Sequence, residues 1–356
     1  KIRFHFFFGC LNRYLSWLRI SNTLQLVQTA GPDPARSRGD IYRGWRATTA
    51  QCGDILRGST GLECRQGGLA GQVLMTERYG VEHSVIRPMR WCMAALALVL
   101  GCSVAADVIR VPEDVLSVQH AIDRAKAGDT IDVAPGRYRE AIDLRGKSIL
   151  VQGRDGAAST IIDAKGLDES VVRCITAEGP GTVLVGMTFT GGTGHRGLRG
   201  IGTALGGGLL ALGASPTIRD CVFLENNASH NGGGAYCGPA ADVRFEQCRF
   251  ESNSAEKGGG LLSVSSRPVM IDCVFKSNEA SYCGGGLFAA KGSRPVLRGC
   301  SFITNRAAYQ GGGACSLDSA GEILDSSFER NRAGSRGGAV YFGFRTSMVA
   351  SGCTFK

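Results

Sequence analysis

A unit of about 26 residues recurs through the second half of this 356-residue chain, and few folds accommodate such a period. The segments Cys221 to Ala228, Cys248 to Ala255, Cys273 to Ala280, Cys300 to Ala307 and Ser326 to Ala333 align without gaps as Cys/Ser-x-Phe-x-x-Asn-x-Ala. A sixth begins at Cys353-Thr354-Phe355, where the chain breaks off within a repeat. The phenylalanines at 223, 250, 275, 302, 328 and 355 are spaced 27, 25, 27, 26 and 27, and a glycine cluster follows each Ala, at 232–234, 258–260, 284–286, 311–313 and 337–338. A repeat this short cannot bury its own apolar side, so copies must stack. Short strand-like pieces joined by glycine turns, with no helical period, predict parallel β-coils about 4.8 Å apart.

Stacking turns each repeated residue into a column. Phe fills the interior, and Cys, two positions earlier on the same strand face, packs beside it as a small apolar residue. Three residues before Cys, Ile218, Phe245, Met270, Leu297, Ile323 and Ala350 form another apolar column. The Asn column suits a left-handed bend and stacked amide hydrogen bonds, and the glycines suit positive φ and close backbone approach. No glycine cluster leads into Lys-Ser/Thr and a helix, so none reads as a phosphate loop.

The solenoid is expected to occupy 107–356, with strands at 130–133, 148–152, 160–163, 171–176 and 182–189. Residues 117–127 read as a short amphipathic helix, N-capped by Ser117 and stopped at Gly128, that covers the first coil. Of 52 glycines, 40 lie after residue 106, but without a Gly-X-Y period and with only 10 prolines, which excludes collagen. The net charge of +9 is carried mostly upstream: residues 1–88 hold 12 Lys/Arg against 6 Asp/Glu, residues 107–356 hold 27 against 25. So balanced a body offers no electrostatic footprint for nucleic acid.

Residues 1–88 show no sustained period. Arg87 and Arg90, the apolar run Trp91 to Leu100 and the small residues Gly101, Ser103, Ala105 and Ala106 then describe a secretory signal peptide at 89–106. The run is too short to be a transmembrane helix. Residues 1–88 are therefore expected to be an unstructured upstream extension outside the exported protein, which would be secreted, periplasmic or at the cell surface. Leu100-Gly101-Cys102 is also similar to a lipoprotein signal, which would place a lipid on Cys102.

Val108 to Pro112, Gln119 to Ala125, Gly128-Asp129-Thr130 and Ala134 to Tyr138 resemble the opening of bacterial proteins of the pectin-lyase-like right-handed β-helix superfamily. The Phe-x-x-Asn and Gly-Gly-Ala repeats (Gly233 to Ala235, Gly312 to Ala314, Gly337 to Ala339) resemble those of the chlamydial polymorphic outer-membrane proteins. The two resemblances imply an all-β, right-handed parallel β-helix with a short N-terminal capping helix. They imply no particular activity.

Candidate chemistry is sparse. Nine of the 14 cysteines fall in the solenoid without zinc-ligand spacing, so no metal or cofactor is expected. Buried thiols are the expected state, although Cys237, Cys283 and Cys315 could pair across coils. Asp220, Asp272 and Asp325 share a column just before the Cys position, with Gln247 between the first two. Alternate rungs put Asp220 and Asp272 about 10 Å apart, wide for a glycosidase pair.

The period breaks once. Phe189 to Phe223 spans 34 residues, and the excess is the Gly-rich segment 191–202. Insertions in a solenoid project from one face, and His195, Arg196 and Arg199 would suit a carboxylate or an acidic glycan. The reading favoured is an exported, surface-associated binding or adhesin-like module for polysaccharide or a cell-surface protein, with oligomeric state open. The alternative is a carbohydrate-active enzyme, of lyase, hydrolase or esterase type, on acidic polysaccharide, with the Asp220, Asp272 and Asp325 face as its site.

Overall fold

In the computed structural model each repeat forms one coil of a right-handed parallel β-helix, as the spacing predicts. The structure describes residues 106–196 and 203–356, together with two short antiparallel strands, Glu63–Gln66 and Val73–Thr76. Those two strands belong to one unit, Lys1–Gly101, and the solenoid to another, Cys102–Lys356. The rest of 1–88 and the expected signal segment, apart from Ala106, lie outside the described residues.

Each regular coil supplies one strand to each of three long sheets. The first sheet has ten strands, from Val108–Val111 to Ser347–Ser351; the second has nine, from Gly136–Tyr138 to Thr354–Phe355; the third has eight, from Ile142–Asp143 to Val340–Phe342. A fourth sheet of four strands, beginning at Ser254–Lys257, occupies the corner between the second and third. The single strand expected at 182–189 is two: Val183–Val185 joins the first sheet and Thr188–Thr190 the second, because Gly186 (φ 64°) bends the chain between them.

The columns assemble as the repeat requires. Phe223, Phe250, Phe275, Phe302 and Phe328 are fully buried, their ring centroids 4.7–4.8 Å apart and within 8° of parallel. That separation is the rung spacing, so the aromatic column stacks without straining the sheets. Cys221, Cys248, Cys273 and Cys300 line the interior beside it, and burial pushes the Cys221 thiol up to about 12. All nine solenoid cysteines are free thiols, so the cross-coil pairing open to Cys237, Cys283 and Cys315 is not formed.

The Asn column corrects one expectation. Left-handed backbone falls on the preceding residue, at Glu225, Ser252, Ser277, Thr304 and Arg330, all with φ between 52° and 56°. The asparagine is instead the polar pin of the turn. Asn253 Nδ2 donates to Asn278 Oδ1 at 3.0 Å and to Phe223 O at 2.9 Å, while its Oδ1 accepts from Asn226 N and Nδ2, both at 3.0 Å. The glycine clusters divide the labour foreseen for them. The first glycine bends the chain, with φ 67° at Gly232. The second allows coils to touch: a Cβ on Gly233 would lie 2.4 Å from Gly259 O.

The capping helix spans Val118–Arg124, shorter than the 117–127 expected, and buries Val118, Ala121 and Ile122 against the first coil. Ser117 caps it, accepting from His120 N at 3.2 Å, and Glu140 accepts from Val118 N and Gln119 N, both at 2.9 Å. Lys147 ends it early: Nζ donates to the carbonyls of Ile122, Asp123 and Ala125 at 2.7–2.8 Å. One cation thus satisfies three terminal carbonyls at the negative end of the helix. Lys147→Met should lower stability by about 2 kcal/mol in a denaturant titration, the scale of charged hydrogen bonds to a helix end.

Candidate functional site

The irregular coils carry the site. On the second sheet, Gly136–Tyr138, Thr160–Asp163, Thr188–Thr190 and Val222–Leu224 stack in register, with Tyr138, Ile162, Phe189 and Phe223 in one column. The alternating residues turn outward, so Arg137, Ile161, Thr188 and Thr190 face a groove of about 340 Å³. Its far wall is the strand end Leu224 with the bend residues Glu225 and Asn227, and its rim is Gly191 to Thr193, the start of the inserted segment.

Asp163 organises the floor. Its side chain is 3% exposed; Oδ2 accepts from Arg137 Nη1 at 2.7 Å and Oδ1 from Lys165 N at 2.9 Å. Burial alone would raise its pKa, but the Lys165 amide and the Arg137 guanidinium outweigh burial and hold the carboxyl below the usual carboxylate range. Gly191 (φ 74°) is needed here, since a Cβ would lie 2.7 Å from Asp163 Oδ1. Two groups of the groove remain available. Thr193 Oγ1 is buried without a hydrogen-bond partner, and among the described residues no carboxylate lies within 4.0 Å of Lys165 Nζ.

The residues singled out in the insertion are placed differently from one another. His195 sits at its base, where His195 N donates to Leu205 O at 3.0 Å and Leu205 N to His195 O at 3.1 Å, closing the insertion like the neck of a loop. The imidazole is engaged rather than free: Nδ1 lies 2.7 Å from Glu169 Oε2, and the side chain is 16% exposed. Arg173 bridges Glu169 at 3.4 Å and Asp143 at 3.3 Å, completing a four-residue network that sequence reasoning missed. Arg196 is exposed, and Arg199 lies outside the described residues.

The column of Asp220, Asp272 and Asp325 has a backbone reason. All three are exposed bend residues with φ between 50° and 52°, and the alternate rungs, at Gln247, Gly299 and, after Asp325, Gly352, adopt the same left-handed conformation. Aspartate and glycine share the tolerance the bend requires. Asp220 has a weak partner, Arg219 Nε at 3.8 Å.

Two signals for the missed contacts were present in the sequence. Arg137 and Asp163 are 26 residues apart, as are Glu169 and His195. That is one coil, so extending the period back into the irregular region pairs them.

Residues 175–333 match the family model of the right handed beta helix region, and residues 325–343 match the Chlamydia polymorphic membrane protein repeat. Among solved structures, a pectin methylesterase from carrot aligns at 15% identity and a TM-score of 0.38, over 70% of this chain and 82% of the enzyme. An alginate lyase from Paenibacillus sp. str. FPU-7 aligns at 13% identity and a TM-score of 0.36, over 68% of this chain and 99% of the lyase. No curated protein matches the chain. Among the described residues, no helix is long and apolar enough to cross a membrane.

Proposed function

We propose that this right-handed parallel β-helix is an exported, surface-presented binding module whose ligand is a glycan and whose site is the groove beside the interrupted coil. The repeat similar to the Chlamydia polymorphic membrane protein family supports a surface setting. The groove itself carries the reading. At about 340 Å³ it falls within the range of small-ligand sites, and it is bordered by the first residues of the inserted segment. Its lining supplies what a hydroxyl-rich ligand needs: the hydroxyls of Thr190 and Thr193, the amide of Asn227 and the ammonium of Lys165. The unpartnered Thr193 hydroxyl is a hydrogen bond that a ligand would complete. Arg196, exposed just beyond this rim, would extend the contact to an acidic group, and Arg199 follows it in the sequence.

Binding fits these groups better than catalysis does. The groove's buried carboxyl, Asp163, is held ionised by the Lys165 amide and Arg137, so it has no proton to give. With both oxygens hydrogen-bonded and its side chain 3% exposed, it is not presented as a base or nucleophile. Turnover through the acidic column remains the competing reading, and it requires Asp220→Asn or Asp272→Asn to abolish product formation without unfolding.

The deciding experiment is a glycan array with the full chain, followed by titration of the best ligand. Thr193→Val should weaken binding about fivefold, the worth of one hydrogen bond, while the melting temperature stays level or rises slightly because an unmet buried hydroxyl is gone. Deleting residues 197–202, which leaves the His195–Leu205 closure intact, should weaken binding with little change in melting, since the stability of a solenoid resides in coil stacking. Unchanged affinity in both variants would sink the groove as the site.

A further inference from the structure

Three coils beyond the groove, the fourth sheet carries a second concentration of charge. Its outward column reads Ser254, Glu279, Arg306 and Arg332, each in register with the next. Arg306 and Arg332 are exposed and directly opposed, a like-charge arrangement that costs rather than contributes stability. Arg336, in register with Gln310, is also exposed. Among the described residues none of these three arginines has a carboxylate within 4.0 Å, Glu279 included, whereas neighbouring Arg330 pairs with Glu329 at 3.5 Å. Packing does not require them, because the alternate column, Ala280 and Ala307, fills the interior with methyl groups.

Beside the arginines stand two exposed aromatics. Tyr282 and Tyr309 are 40% and 47% exposed, with rings 5.6 Å apart and 14° from parallel. Lys257 Nζ lies 5.6 Å from the Tyr282 ring centre, tethered to Glu256 at 2.9 Å. Exposed tyrosines with unpaired guanidinium groups make a surface suited to a ligand both hydroxylated and anionic.

We propose that this corner, with Arg306, Arg332 and Arg336 as its cations and Tyr282 and Tyr309 as its rim, binds a linear anionic polysaccharide laid along the solenoid axis. Charge and the aromatic rim together select the occupant. Arg306 and Arg332 stand on adjacent rungs, about 4.8 Å apart, and Arg336 shares the rung of Arg332. An extended acidic peptide presents same-face side chains about 6.6 Å apart, wider than this step, and brings no hydroxylated ring to the tyrosines. A chain of anionic sugars offers anions to the guanidinium groups and hydroxylated rings to the tyrosines. The anion is a sulfate ester or a uronate carboxylate, both of which a guanidinium grips with paired hydrogen bonds. The site shares no residue with the groove and goes beyond the function proposed for it.

The test uses the full chain carrying Lys165→Ala and Thr193→Val, so that the groove contributes little. Probes are a heparin oligosaccharide, its desulfated form, a dextran oligosaccharide of equal length, a polyglutamate peptide and a single-stranded oligonucleotide. The groove variant should bind heparin in a salt-sensitive manner and dextran at least tenfold more weakly. Adding Arg306→Gln and Arg332→Gln should weaken heparin binding at least tenfold with melting unchanged or slightly raised, and Tyr282→Ser with Tyr309→Ser about fivefold. Arg306→Lys with Arg332→Lys should keep part of the affinity, which separates charge from misfolding. Retained binding of the desulfated form assigns carboxylate recognition, and its loss assigns sulfate. The proposal is overturned if the arginine variants bind heparin normally, or if the groove variant binds none. It is equally overturned if polyglutamate or the oligonucleotide binds as tightly as heparin. None of these outcomes bears on the groove, which is read by Thr193→Val and the 197–202 deletion in an otherwise unaltered chain.

Discussion

Phe275→Ala should lower the unfolding free energy by about 3–5 kcal/mol, the range for truncating a large buried aromatic. Phe275 is fully buried and stacked on both faces, with Phe250 and Phe302 each 4.7 Å away and within 4° of parallel. Alanine removes a ring whose neighbours cannot close the gap, because the coils above and below are held at fixed spacing by their own ladder hydrogen bonds. The adjacent Lys276 faces outward and pairs with Glu251 at 2.8 Å, so Lys276→Ala should cost no more than about 0.5–1 kcal/mol, as exposed ion pairs do. Chemical denaturation of both variants reads the contrast directly. Equal effects would mean that the inward and outward faces of the second sheet are assigned the wrong way round.

Asn278→Ala should cost about as much, although a smaller side chain is lost. The Asn278 carboxamide accepts from Asn253 N and Nδ2, both at 3.0 Å, and donates to Phe250 O at 2.8 Å and Asn305 Oδ1 at 2.9 Å. Removing it strands two donors of Asn253 and the carbonyl of Phe250 inside a turn where Asn253, Asn278 and Asn305 are all fully buried. Each stranded group costs about 1–3 kcal/mol, and with partial relaxation a total near 3–5 kcal/mol is expected. Glu279→Ala, one residue on and exposed, should change stability by less than about 0.5 kcal/mol. A mild effect at Asn278 would show that the amide ladder is ornament to the Phe column rather than a second spine.

Phe, Cys and Asn announce themselves because they repeat, and repetition in a solenoid reports the interior. The position after Asn runs Asn227, Ser254, Glu279, Arg306 and Arg332, and the tyrosines at 282 and 309 occur in only two coils. Residues that differ from coil to coil are released from packing, so their identities are free to serve a ligand.

The sequence by itself determined the solenoid, its coil length, the inward faces and the cap. Every copy of Phe, Cys or Asn meets the same surroundings one coil away, so the pattern is written five times over and a single period decodes it. What only the tertiary structure decided is the chemistry between unlike coils. The Arg137–Asp163 floor and the Glu169–His195–Arg173 network each join residues with no repeated counterpart; their 26-residue separations put the partners one coil apart, but in a region where bends and strand lengths vary that separation alone does not say which side chains meet. The left-handed position moved one residue ahead of Asn for a related reason. The side chain that pins the turn must point inward from its own residue, which leaves the preceding one to absorb the change in backbone direction. Periodicity reports what is shared between coils, and the groove is built from what is not.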